Sequence, residues 1–216
     1  MLPARVRRCR VRITRLAVGL LLLALGACGS SPLVLNGTIP APLARKLPLT
    51  LGVYYPPELR NYSYREPEDS SGKDPLLVQG GKSQLQLFST LLPALFTRVV
   101  VLDSPEPAAG AGNLDAVLIP TLADFQLGLP RKTHLPVYEV WLNYQLQLTR
   151  PDGQPLAQWQ LTAYGKAPQD QVSSVEAGMQ QAATVALRDL AASFTLGFAE
   201  VPEVKAWLQA NNRDKP

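Results

Sequence analysis

Hydrophobic and polar positions alternate most cleanly between residues 138 and 148. Tyr138, Val140, Leu142, Tyr144, Leu146 and Leu148 fall on one face; Glu139, Trp141, Asn143, Gln145 and Gln147 fall on the other. A sustained period of two predicts a half-buried β-strand. Arg150-Pro151-Asp152-Gly153-Gln154 then supplies a turn, because proline presets φ and Asp-Gly accepts the tight bend. The return strand places Ala157, Trp159, Leu161 and Ala163 on the inner face and Gln158, Gln160 and Thr162 on the outer one. Upstream, Leu47, Leu49, Leu51, Val53 and Tyr55 give a second period-two run, stopped by Pro56-Pro57. Residues 58–74 are polar and predict a long loop, with room for a short strand, containing Tyr62 and Tyr64.

Two segments carry helical spacing. Ser83 can cap a helix to about residue 97, with Leu85, Phe88, Leu91, Leu92, Leu95 and Phe96 on its stripe and Pro93 set to kink or split it. Ser173 and Glu176 form a capping box for a helix to about residue 198, buried through Val175, Met179, Ala182, Ala183, Ala186, Leu187, Leu190, Ala191 and Phe194. Residues 76–79, 99–102 and 115–119 can form short strands, with Pro120 implying an edge or a bulge. Residues 204–208 read as a short turn and 209–216 as a polar tail. This order predicts a single α+β domain over 47–208. Its architecture is a two-layer sandwich, a mostly antiparallel sheet of four or five strands with two helices on one face. One face of the hairpin is then left without a helix. Arg188-Asp189 falls where it can face solvent or cap a sheet edge.

The N-terminus has a different character. Six arginines precede residue 16, and 16–25 is apolar apart from Gly19. A basic start, a short apolar run and small residues before a cut site make a secretory signal, and the run is too short to span a bilayer as a helix. Leu25-Gly26-Ala27-Cys28 resembles the lipobox of bacterial lipoproteins. The resemblance implies a signal peptide over 1–27 and a Cys28 that carries a diacylglyceryl group on sulfur and an acyl chain such as palmitate on its amine. It also implies a lipid-anchored place in the envelope. Gly29 after the cysteine resembles cargo of the outer membrane rather than proteins retained in the inner membrane, there facing the periplasm or the cell surface. Residues 28–46, with Pro32, Pro40 and Pro42 and no sustained period, read as a flexible tether.

Loss of the leader reverses the charge. The chain has 21 Lys+Arg and 17 Asp+Glu; without the six leader arginines, 15 basic residues face 17 acidic ones and the net charge is −2. The basic pI belongs mostly to the leader and is no argument for nucleic-acid binding. Cys9 leaves with the leader and Cys28 carries lipid, so the folded part has no thiol for a disulfide, nucleophile or metal ligand.

Catalytic motifs are missing. Gly81-Lys82-Ser83 invites a phosphate-loop reading, but the motif needs glycine where Leu76 stands. His134 is the single histidine, without cysteines or acids at ligand spacing, and reads as an exposed loop residue. Glu66-Pro67-Glu68-Asp69 reads as a solvated loop, and no nucleophile elbow accompanies any serine. The sequence therefore predicts no enzyme, no cofactor and no metal. Two surfaces suit recognition instead. The outer hairpin face carries Trp141, Asn143, Gln145, Gln147, Gln158 and Gln160, neutral polar groups with an aromatic anchor. Tyr62 and Tyr64 offer a second in the loop.

Cys28-Gly29, the Asp152-Gly153 hairpin turn and the Ala-rich helix at 182–192 together resemble small outer-membrane assembly lipoproteins, foremost the lipopolysaccharide-assembly lipoprotein. YajG-like, curli-secretion and penicillin-binding-protein-activator lipoproteins have similar sheet-and-helix domains. The resemblance implies a non-catalytic accessory or assembly subunit that binds an envelope protein partner. A periplasmic carrier of lipid or a small ligand is the alternative, since helix-on-sheet domains can open a cavity between layers.

Overall fold

In the computed structural model the described residues are 33–35, 39–68, 75–107 and 113–213. Cys28 and the leader, and their expected roles, lie outside them. A five-stranded sheet dominates, in the order β5-β2-β6-β7-β8. Its strands are β2 (Leu47–Tyr54), β5 (Phe96–Leu102), β6 (Ala116–Gly128), β7 (Val137–Thr149) and β8 (Pro155–Pro168). A small second sheet, β1-β4-β3, is built from β1 (Leu33–Val34), β3 (Ser63–Arg65) and β4 (Leu77–Gln79). The helices are α1 (Pro57–Arg60), α2 (Gly81–Leu95), α3 (Pro130–Thr133), α4 (Val175–Gly197) and α5 (Pro202–Arg213). The α+β class and the layering are as the sequence predicts, with α2 and α4 on one face of the large sheet. Phe88 of α2 meets Tyr144 of β7 edge-on at 5.7 Å, and α4 lies over β7 and β8.

The sheet is more mixed than its alternation suggests. β2 runs parallel to both β5 and β6, while β6-β7-β8 is an antiparallel meander. Asp115 starts the parallel pair: its Oδ2 accepts the Thr50 N–H at 2.7 Å, and its own N–H reaches the Thr50 carbonyl at 2.9 Å. Pro120 falls inside β6, just past Leu118, the last residue that pairs with β2. Its missing donor therefore points to the side where no β2 neighbour remains, which satisfies the edge reading. A register shift follows between Leu122 and Asp124.

Several local expectations shift. The segment read as a tether is part of the fold: β1 pairs with β4, and Leu35 and Ile39 are buried in the core. Alternation could not reveal this, because the segment contributes isolated anchors rather than a periodic face. Helix α2 begins at Gly81, and the Ser83 hydroxyl bonds back to the Gly80 carbonyl instead of capping. Pro93 sits in the last turn of α2 and does not split it. Ser174, not Ser173, caps α4, accepting from the Ala177 N–H at 3.1 Å. The segment read as a short turn, and the tail as far as Arg213, form α5, held by buried Val204. Glu66, expected in solvent, is only 4% exposed.

The hairpin folds as its pattern dictates. Tyr138, Val140, Leu142, Tyr144, Leu146 and Leu148 are all buried, and Gly153 takes φ +84° in the turn. On the same side β8 presents Ala157, Ala163, Gly165 and Ala167, against which α4 lays its alanines. A β-carbon on Gly165 would stand 2.0 Å from the Ala182 carbonyl oxygen and 2.3 Å from the Ala186 nitrogen. One on Gly178 would stand 2.2 Å from the Tyr138 ring. Asp189, one turn further along α4, accepts the Tyr164 N–H at 3.0 Å and occupies the outer edge of β8. A carboxylate there blocks addition of a further strand.

Gly165→Ala must push α4 off the sheet, since backbone cannot yield as a side chain can. It is expected to cost about 3 kcal/mol or more, read as a lower urea midpoint, whereas Gly197→Ala, with nothing within 4 Å of the added carbon, should leave the midpoint at or above wild type.

Candidate partner-binding face

The outward face of the meander is laid out by register in rows across three strands. Gln126, Trp141 and Tyr164 form one row, Asp124, Asn143 and Thr162 the next, and Thr121, Gln145 and Gln160 the third. Gln147 stands beside Gln158, and Glu139 beside Lys166. The structure thus brings together Trp141, Asn143, Gln145, Gln147, Gln158 and Gln160. Gln147, Gln158, Gln160, Thr162 and Lys166 are exposed, and Trp141, Asn143 and Gln145 are half-buried.

Trp141 does not stand alone. Its ring meets Tyr164 with centroids 4.9 Å apart and planes inclined by 38°. The Tyr164 hydroxyl donates to Glu139 Oε1 at 2.7 Å, and this bond is the main reason its pKa is pushed up to about 12. Glu139 is itself only 8% exposed, so one buried carboxylate orients the aromatic pair. Beside it Gln126 Nε2 donates to Asp124 Oδ2 at 2.6 Å, and Gln145 Nε2 donates to the Trp159 carbonyl at 3.3 Å. Asn143 Oδ1 is buried and finds no hydrogen-bond partner among the described residues. The centre of the face is therefore a fixed aromatic pair beside neutral amides, with Asp124 and the Glu139–Lys166 pair as its charged neighbours. Such a surface can offer hydrogen bonds to a partner without stripping water from many ions.

Tyr62 and Tyr64 belong elsewhere. Their rings lie 5.8 Å and 5.1 Å from Phe125, which pairs with inward-facing Leu142. They sit on the helix side of the sheet, opposite Trp141, and close the core under the small sheet. Burial raises both hydroxyls, Tyr62 to about 12. The two expected recognition surfaces do not form one site.

The small sheet is pinned by a charge cluster that the sequence did not announce. Buried Glu66 Oε2 accepts the Leu76 N–H at 3.0 Å and a hydrogen bond from Arg131 at 2.5 Å, and its Oε1 pairs with Lys132 at 2.9 Å. Burial alone would raise this carboxyl. The Leu76 N–H, Lys132 and Arg131 together outweigh it and hold the pKa below the usual carboxylate range. Glu66 lies 65 residues from Arg131 and one more from Lys132, beyond any local motif. His134 ends α3 at φ +58° and is exposed, as expected of a loop residue.

No family model and no curated protein matches the chain. Its fold is similar to that of a Xanthomonas campestris protein of the family DUF330, with TM-score 0.53 and 11% identity, covering 85% of this chain and 99% of that one. A minor lipoprotein from Acinetobacter baumannii is similar at TM-score 0.40 and 14% identity, over 72% of this chain and 94% of that one. The first likeness places the α+β fold among solved structures; at this identity it defines the architecture alone.

A depressed folded-state pKa gives stability that is present above the unfolded value and lost as pH falls through the folded one. Glu66→Gln is therefore expected to lower stability near neutral pH by roughly 2 kcal/mol. It should also flatten the loss of stability that wild type shows below about pH 4. Urea midpoints across that range check both effects.

Proposed function

We propose that this chain is a non-catalytic, lipid-anchored accessory protein of the bacterial envelope. Its acylated Cys28 holds it in the outer membrane, and the outward face of β6-β7-β8 docks an envelope protein in the periplasm. The observation that carries the docking reading is the Trp141–Tyr164 pair, oriented by Glu139 and set in a neutral amide field on a sheet face that no described helix covers. The lipid anchor rests on Leu25-Gly26-Ala27-Cys28 behind its basic and apolar leader. The carrier reading has less support: Phe88, Tyr144 and Phe194 are fully buried between the layers, where a cargo cavity would have to open.

Cys28→Ser is expected to abolish incorporation of labelled palmitate and release the protein from the membrane fraction. A photo-crosslinking side chain at Gln158 should capture one discrete envelope protein. Trp141→Ala with Gln145→Ala should reduce that capture about tenfold, the size of a modest interface hot spot, with the circular dichroism spectrum unchanged. Equal capture by the double variant removes the hairpin face from the account.

A further inference from the structure

The leash to the lipid is short. Leu33 and Val34 are bound to β4, and Cys28 precedes Leu33 by five residues. Fully extended, that stretch reaches about 18 Å. A domain joined to a bilayer by so little chain must keep its β1 end near the headgroups.

That end has a matching surface. A shallow groove of about 360 Å³ beside Val34 is lined by Arg60, Asn61, Ser63, Gln79 and Lys82, two cations with neutral polar groups and no carboxylate. Arg60 is held in place: its Nε donates to the Tyr55 carbonyl at 2.6 Å, and its guanidinium lies 5.9 Å from the Tyr54 ring centre. The nearest acids along the chain are Glu58, in the same short helix, and Glu66, which is buried and paired with Arg131 and Lys132. The opposite end differs. Helix α2 runs from Gly81 beside this groove to Leu95, next to Phe96, which pairs with Leu47. Its fifteen residues separate the two ends by about 22 Å. There a groove of about 340 Å³ is lined by Leu47, Pro48, Leu49 and Leu208, and its one cation, Lys205, is paired with Glu200 at 3.1 Å.

We propose that the β1 end of the domain rests on the bilayer that holds Cys28, with Arg60 and Lys82 on the phosphates of its lipids. The apolar groove between β2 and α5 is thereby turned away from the membrane. This orientation rests on the lipid-anchor reading. Cations close to an anionic surface strengthen the contact by roughly fivefold each, so the groove fixes the pose while the acyl chains supply the anchorage.

The test uses the full-length lipidated protein in vesicles of phosphatidylethanolamine and phosphatidylglycerol. Spin labels go on Ser63→Cys or Gln209→Cys, one at each end. A nickel chelate fixed to the lipid headgroups is expected to relax the Ser63 label several-fold more than the Gln209 label. Equal or reversed relaxation overturns the orientation. Arg60→Gln with Lys82→Gln should narrow that difference while the protein still floats with the vesicles. An unchanged difference removes the two cations from the pose. Protein that does not float with the vesicles overturns the lipid anchor itself.

Discussion

The close seat of α4 on β8 is the contact on which the rest of the structure depends. Gly165 lets the Ala182 carbonyl and the Ala186 amide approach the strand more closely than any side chain would allow. Gly178 makes the matching space for the Tyr138 ring. With the helix so low, the inward row from Tyr138 to Leu148 is sealed along its length, and Asp189 reaches the Tyr164 N–H at the sheet edge. One packing decision thus closes the core, terminates the sheet on that side and leaves the other face of the hairpin uncovered by any described helix. Close packing at the native density makes such an arrangement intolerant of added volume.

The outward face inherits its order from the same strands. Because side chains alternate strictly, fixing the inward row fixes which residues look outward and which of them are neighbours. Trp141 meets Tyr164, and Asn143 meets Thr162, by register alone. What makes the row more than a list of polar residues is the buried Glu139 carboxylate, which holds Tyr164 and so holds the tryptophan. On the other side of the sheet the small β1-β4-β3 layer is fastened by Glu66 to α3, so Tyr62 and Tyr64 close the core there.

If Cys28 carries the proposed lipid, the N-terminal segment ties architecture to location. As a loose tether, 28–46 would let the domain wander far from a bilayer. As β1 with Leu35 and Ile39 buried, it leaves only a few residues of slack. In the proposed pose the end that carries Arg60 and Lys82 is the end nearest the lipid, and the apolar groove at α5 lies the length of α2 away.

Much of this was legible in the residues alone, wherever the governing physics is local. The period-two runs named β2 and the β7-β8 hairpin with the correct faces, and the Asp152-Gly153 turn followed from backbone sterics. The alanine stripe of α4 identified its buried side, and Asp189 was placed where it could cap an edge. The lipobox and leader lie outside the described residues and speak only through sequence. Tertiary structure decided the rest, because the partners are far apart in the chain. The parallel seats of β2 against β5 and β6, the capture of Leu35 and Ile39, and the Glu66–Arg131–Lys132 cluster leave no periodic trace. The seat of Tyr62 and Tyr64 against Phe125, about sixty residues on, likewise left no local pattern. Sequence fixes which side of an element is apolar, through periodicity; only the assembled chain decides what that side meets.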